Sequence, residues 1–208
     1  MSFFLSIEGP DGSGKTTQAR LLTDHLRQAG HDVLLAREPG GTPIGDQIRQ
    51  VLFSLDNKGM CPESEFLLFS ASRAQLVREV LRPHLQRGGV VVCDRFADSS
   101  LAYQGYGHGL AQEMVQAVTR LATGGLRPNL TVLLDLPAED GLARRKQGGR
   151  WNRLDDYDLE FHQRVRQAFL SLAAAEPARW VTVDGRPAVE EVQRDIQRVV
   201  DPRLAAPG

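Results

Sequence analysis

Short apolar runs alternate with longer amphipathic stretches along this chain. The strand candidates fall at 3–7, 32–36, 90–94, 131–136 and 180–183. Four of the five are nearly continuous in apolar residues, as strands buried on both faces of a parallel sheet are. Segments 17–28, 44–53, 64–86, 110–122, 139–146, 159–174 and 189–199 carry helical periodicity. Gly30, Gly88 and Gly124 follow helical patterns closely enough to stop them. The alternation predicts a three-layer α/β fold, a parallel five-stranded sheet flanked by helices. Residues 202–208 read as a frayed tail, and no internal repeat or low-complexity segment interrupts the pattern.

Composition adds bounds. The chain has 208 residues, enough for one sizeable core and short for two domains with a linker, so 1–208 is expected to form a single domain. A net charge of −1 gives no global field for a nucleic-acid polymer, so a nucleotide partner would be held by local charge. No apolar run is long enough to cross a bilayer and the start has no signal-peptide pattern, which points to the cytoplasm and away from a membrane partner. Cys61 and Cys93 form no disulfide or metal pattern and are expected to be reduced thiols.

The first strand runs into "GPDGSGKTTQ", which satisfies G-x-x-x-x-G-K-[ST] at Gly9, Gly14, Lys15 and Thr16. A strand before and a helix after are the context that separates a phosphate loop from a chance string. Backbone N–H groups of Gly9, Pro10 to Gly14 and the helix start at Thr16 and Thr17 would converge on phosphate oxygens; proline, lacking N–H, contributes shape only. The helix N-terminus adds about half an elementary charge there. Lys15 would reach the outer phosphates and Thr16 would ligate Mg²⁺. This segment, Gly9, Pro10, Asp11, Gly12, Ser13, Gly14, Lys15, Thr16 and Thr17, is therefore the candidate ATP site. Asp11 is out of place beside polyphosphate unless a sugar hydroxyl, a cation or a base partner compensates it; otherwise it is a solvated turn residue.

Other segments supply partners for that loop. "VVVCDRF" delivers Asp94 and Arg95 at the carboxyl end of a strand, where open parallel sheets bind ligands. Asp94 would hold Mg²⁺ or its waters and Arg95 a second phosphate; the plainer reading is a surface ion pair. A helix after Phe96 would put Arg95, Ser99 and Tyr103 on one face at i, i+4 and i+8, a set able to hold a nucleoside monophosphate. Phe69 and Arg73 lie four apart on an amphipathic segment. Phe69 alone would be core, but a guanidinium on an apolar face needs a partner, and the pair suits a flat base with carbonyl acceptors. "REPGGT" carries Glu38 and Pro39 in a turn with two glycines able to approach a ligand. Around Gly148-Gly149 stand Arg144, Arg145, Lys146, Arg150 and Arg153, either a solvated basic face or a lid over about 141–156 that brings arginines to a moving phosphoryl group.

Taken in order, "GPDGSGKTTQ", "REPGGT", the Phe69/Arg73 helix, "DRFADSSLAYQG" and the arginine-bearing lid resemble bacterial thymidylate kinase over nearly the whole chain. The resemblance implies an ATP-dependent and Mg²⁺-dependent kinase of dTMP, acting as a homodimer. It implies that Asp11 bonds the 3′-hydroxyl of dTMP, Phe69 stacks on thymine and Arg73 donates to a thymine carbonyl. Arg95 would hold the dTMP phosphate with Asp94 near the metal. Ser99, Ser100 and Gln104 would contact the nucleotide, with Glu38 and Pro39 bordering it, Pro39 in the cis form. Tyr103 would exclude a ribose 2′-hydroxyl. In the lid, Arg144 is assigned to ATP, and Arg153 in "NRLD" is the match for the arginine of transfer. The sequence departs from the family where Asp155 replaces a common glutamate and at "GGRW". Rival readings are a kinase of another nucleoside or nucleotide, a P-loop switch or regulatory ATPase, and a non-catalytic nucleotide binder. No N-K-x-D guanine-reading string occurs, which weakens the GTPase version of the second.

Overall fold

The computed structural model describes residues 2–148 and 151–205. Strands β1 Phe3–Glu8, β2 Val33–Arg37, β3 Val90–Asp94, β4 Leu130–Asp135 and β5 Trp180–Asp184 form one sheet in the order β2-β3-β1-β4-β5. All four pairings are parallel. The expected α/β architecture is therefore present, with every strand boundary within two residues of its apolar run.

The alternation of side chains along β1 explains the layers. Phe3, Leu5 and Ile7 pack with Leu22, Leu26 and Ile196, from helices α1 Lys15–Gln28 and α9 Val189–Ala205. Phe4 faces the other way, into Leu76, Leu81 and Phe96 beneath α3 Pro62–Leu76. A third cluster joins Leu133 to Phe161 and Phe169 of α8 Leu159–Ala175. A strand buried on both sides has no polar face, and that is why its sequence reads as one apolar run.

The helices differ from expectation in instructive places. The predicted helix over 64–86 is α3, a wider π turn Val77–Leu81 and α4 Arg82–Gln86. Pro83 has no N–H to return along the ladder, and the wider turn absorbs the missing bond. After Phe96 the chain is helical as expected, first α5 Ala97–Ser100 and then a π segment Leu101–Gly107. The remaining helices are α2 Pro43–Phe53, α6 Gln112–Thr123 and α7 Ala138–Gln147. The frayed tail is a correction: α9 continues to Ala205 because Leu204 packs on the central cluster and Arg203 donates to the Ala178 carbonyl oxygen at 3.2 Å. Residues 206–208 of that tail lie outside the described residues. Cys93 is buried and Cys61 exposed, both free thiols. Among the described residues no helix is long and apolar enough to cross a membrane.

Helix α7 sits directly on the loop after β1. A Cβ on Gly12 would collide with the Gly141 carbonyl oxygen, and one on Gly141 with the Asp11 carbonyl oxygen. Only two glycines facing each other let these backbones meet. Gly141→Ala is a direct test, since helix propensity alone predicts about 1 kcal/mol of stabilisation. The collision should reverse that sign, giving a loss of about 1–3 kcal/mol, read as a lower midpoint in denaturant titration.

Candidate active site

The carboxyl ends of β1, β2 and β3 lie together, at the sheet edge where open α/β sheets bind ligands. Their backbones are tied there: the Arg95 N–H donates to the Ile7 carbonyl and the Glu38 N–H to the Asp94 carbonyl, each at 3.0 Å. Above them opens a cavity of about 650 Å³. Asp11, Gly12, Gly14, Lys15, Thr16 and Thr17 line it from the loop, with Glu38, Pro39, Phe69, Arg73, Asp94, Arg95, Ser99, Ser100, Tyr103, Gln104 and Arg144. Gly9, Pro10 and Ser13 shape the loop from behind: Gly9 has φ 145°, and the carbonyl of Pro10 accepts from Lys15 Nζ at 2.6 Å.

Lys15 is buried, with a second bond to Ser13 Oγ at 3.3 Å. Burial, and then the nearby Arg95 charge, push its ammonium down to about 7. Phosphate oxygens would supply the missing counter-charge. Thr16 Oγ1 donates to Asp94 Oδ2 at 2.5 Å, so a hydroxyl and a carboxylate stand together at the start of α1. A hydroxyl and a carboxylate are hard oxygen donors of the kind that would suit Mg²⁺.

Asp11, Arg95 and Tyr103 form one unit. Arg95 Nη2 donates to Asp11 Oδ1 at 2.7 Å and to Tyr103 Oη at 2.9 Å, and Tyr103 Oη donates to Asp11 Oδ2 at 2.7 Å. Arg95 Nη1 reaches Ser99 Oγ at 3.2 Å and the Gly9 carbonyl at 3.1 Å. Burial alone would raise the Asp11 carboxyl, but Arg95, Lys15 and the Tyr103 hydroxyl hold it well below the usual range. Its puzzling place in the loop is thereby explained: Asp11 is the partner of the Arg95 guanidinium. Arg95 has φ 69°, the one positive φ at a non-glycine among the described residues. Glu8 secures that bend, accepting from the Phe96 N–H at 2.7 Å and from Ser99 Oγ at 2.6 Å. Burial, with Asp98 nearby, raises the Glu8 carboxyl to about 8.

Arg73, also in the cavity wall, is 1% exposed. Its Nε donates to Glu38 Oε2 at 2.7 Å, Nη1 to Ser100 Oγ at 2.9 Å and Nη2 to the Phe96 carbonyl at 3.3 Å. Glu38 is thus a partner of Arg73, and the Glu38–Pro39 peptide bond is cis. Phe69 presents a half-buried ring to the same space.

Arg153 does not line the cavity. It lies on a 3₁₀ turn, Arg153–Asp156, and is 2% exposed. Nε donates to the Leu52 carbonyl at 2.8 Å, Nη1 to Tyr157 Oη at 2.7 Å and Nη2 to Glu65 Oε2 at 2.5 Å. A buried guanidinium must be met on every edge, and these bonds turn it inward, out of the cavity wall. Arg145 lines the cavity in its stead, held by Asp155 through Nε at 2.9 Å and Nη2 at 2.5 Å. Arg144 also reaches the wall, donating to the Gly185 carbonyl at 3.0 Å. Arg150 lies outside the described residues. Sequence reasoning also missed Glu8 and Arg49; the latter lines the cavity and lies over the Phe53 ring at 4.3 Å. A lone carboxylate closing an apolar strand was the available signal for Glu8.

The thymidylate kinase family model matches residues 7–196. The chain belongs to the thymidylate kinase family. It is 52% identical to the thymidylate kinase of Deinococcus radiodurans over 96% of this chain and 97% of that one. It is 49% identical to that of Roseiflexus sp. (strain RS-1), over 99% and 96%. The crystal structure of thymidylate kinase from Ehrlichia chaffeensis superposes with a TM-score of 0.79 at 31% identity, covering 96% of this chain and 98% of that one. This member of the family is an enzyme, a kinase with a P-loop fold.

The depressed Lys15 ammonium gives a pH test. Its folded pKa, about 7, lies below the 10.5 of an unstrained lysine, so the unfolded chain binds more protons between those values. Wild-type stability therefore rises with pH across that window. Lys15→Met should stabilise the nucleotide-free protein near pH 7, with a gain that shrinks towards pH 10, while transfer falls by ~10²-fold or more. Thermal melts at three pH values, beside the turnover assay, check both signs.

Proposed function

We propose that this kinase transfers the γ-phosphoryl group of ATP to dTMP, giving ADP and dTDP, as a step of dTTP synthesis in the cytoplasm. The observation that carries this reading is the pairing of two anion sites in one cavity. Lys15, and Arg95 with its partners Asp11 and Tyr103, line the same cavity as Phe69 and Arg73.

In this arrangement Arg95 binds the dTMP phosphate, and Asp11 accepts the 3′-hydroxyl while keeping Arg95 aligned. Phe69 stacks on thymine, Arg73 donates to its carbonyl, and Ser99, Ser100, Gln104 and Pro39 complete the wall. The Tyr103 ring occupies the place of a ribose 2′-hydroxyl. Arg144 and the loop hold ATP. An oxygen of the dTMP phosphate attacks the γ-phosphorus directly, the bond to the β,γ-bridging oxygen breaks, and ADP leaves with that electron pair; no covalent enzyme intermediate forms. The chain's own task is to align the two nucleotides and hold positive charge on the moving group. Thr16 and Asp94 would hold Mg²⁺, which when bound neutralises charge on the phosphate oxygens. The segment about 141–156 works as a lid, and its arginine of transfer is Arg145. A homodimer would cover exposed Leu67 on α3 and Leu121 on α6, two helices packed together.

An ADP-release assay across dTMP, dUMP, dCMP, dGMP, AMP and UMP tests the function, with dTMP expected to be preferred. ATP hydrolysis indifferent to every monophosphate would overturn it in favour of a regulatory ATPase. The lid assignment has its own test. Arg145→Ala should lower kcat by roughly 10²–10⁴-fold with small changes in KM. Arg153→Ala should instead destabilise the fold by about 3–5 kcal/mol, because it leaves the Glu65 carboxylate buried without its cation. An Arg153→Ala protein of wild-type stability with the larger loss in kcat would return the transfer role to Arg153.

A further inference from the structure

We propose that Glu65, which does not line the cavity, sets the base selectivity of this kinase by fixing which end of the Gln104 side-chain amide faces the substrate. This rests on reading the cavity as a dTMP site. Glu65 stands in the first turn of α3, is 0% exposed, and gathers polar groups from two other regions, the π segment with His108 and the Arg153–Asp156 turn with Tyr157. Gln104 Nε2 donates to its Oε1 at 2.9 Å, and His108 Nε2 lies 3.1 Å from the same oxygen. Arg153 Nη2 donates to Oε2 at 2.5 Å and Tyr157 Oη at 2.7 Å.

An ionised carboxylate only accepts hydrogen bonds, whereas an amide accepts at one end and donates at the other. Glu65 is held in that ionised form. Burial would raise its carboxyl, but the bonds from His108, Gln104 and Tyr157 outweigh burial and bring it to about 2. The amide of Gln104 therefore has one permitted orientation: its NH₂ towards Glu65 and its Oε1 away from it. Gln104 is part of the cavity wall together with Arg73, and among the described residues no donor reaches its Oε1.

The cavity then offers an acceptor from Gln104 alongside donors from Arg73. Thymine and uracil present the complement, an N3–H donor beside the O4 acceptor. Cytosine presents the reverse, an N3 acceptor beside an amino donor, and would meet acceptor with acceptor and donor with donor. The flipped amide would remove the match at N3 for thymine, while Arg73 would still oppose the cytosine amino group. Loss of orientation should therefore show mainly as poorer use of dTMP, with no parallel loss on dCMP.

The test is Glu65→Gln, which keeps shape but lets residue 65 present either amide end to Gln104. Measured by ADP release with the full-length protein, kcat/KM for dTMP should fall by ~10-fold or more, mostly through KM, the scale of one lost base-edge contact. The value for dCMP should stay level or rise. In a Gln104→Leu background the same Glu65→Gln change should leave the dTMP/dCMP ratio unmoved, because no amide remains to orient. A fall of equal size for both nucleotides, or an equal fall with and without Gln104, would overturn the proposal and leave Glu65 as a packing group only. If Glu65→Gln does not fold, Glu65→Asp retains the buried negative charge for Arg153 while withdrawing its oxygens. It should still lower the dTMP/dCMP ratio, and an unchanged ratio overturns the proposal. Wild-type protein in the same panel separates the two levels of failure: if it does not prefer dTMP, the substrate reading fails, and if it does while the variants keep its ratio, only the role of Glu65 fails.

Discussion

Everything at this site depends on keeping several cations together in a half-buried space before any phosphate arrives. Like charges within a few ångströms repel strongly in a medium less polar than water, and burial adds to the cost. The structure answers with a carboxylate for three of the guanidinium groups that line the cavity. Asp11 holds Arg95, Glu38 holds Arg73, and Asp155 holds Arg145. Lys15 lacks such a direct partner, and its ammonium is accordingly destabilised. A net charge of −1 over the whole chain is the sum of these local neutralisations, and so it says little about the field inside the cavity.

The same pairs make the site rigid. Asp11 stands in the loop after β1 and Arg95 in the turn after β3, on adjacent strands of the sheet. Their ion pair ties the loop after β1 to the turn after β3. The left-handed backbone at Arg95 is held from below by Glu8, whose own burial leaves its carboxyl hard to ionise. A positioning carboxyl group thus supports a strained residue that in turn aims a guanidinium, and positioning of this kind carries most of the burden in phosphoryl transfer. Glu65 likewise joins α3, the π segment and the Arg153–Asp156 turn through one side chain.

Local chemistry made much of this legible in the sequence. Apolar runs without alternation specify strands covered on both faces, and the spacing of glycines before Lys15 specifies a loop whose backbone can face phosphate. Arg95, Ser99 and Tyr103 recur at helical spacing, so their shared face is legible from spacing alone. These features depend on residues a few positions apart, and short-range sterics and hydrogen bonding decide them. What only the tertiary structure decided involves partners distant in the chain. Arg145 and Arg153 are both lid arginines in sequence, yet one meets Asp155 at the cavity wall and the other is drawn inward by Glu65, 88 positions away. Leu204 makes a helix of an expected tail by packing on the core. Burial and long-range charge pairing choose among side chains that local pattern leaves equivalent, because desolvating a charge costs more than any helix or turn preference can offset.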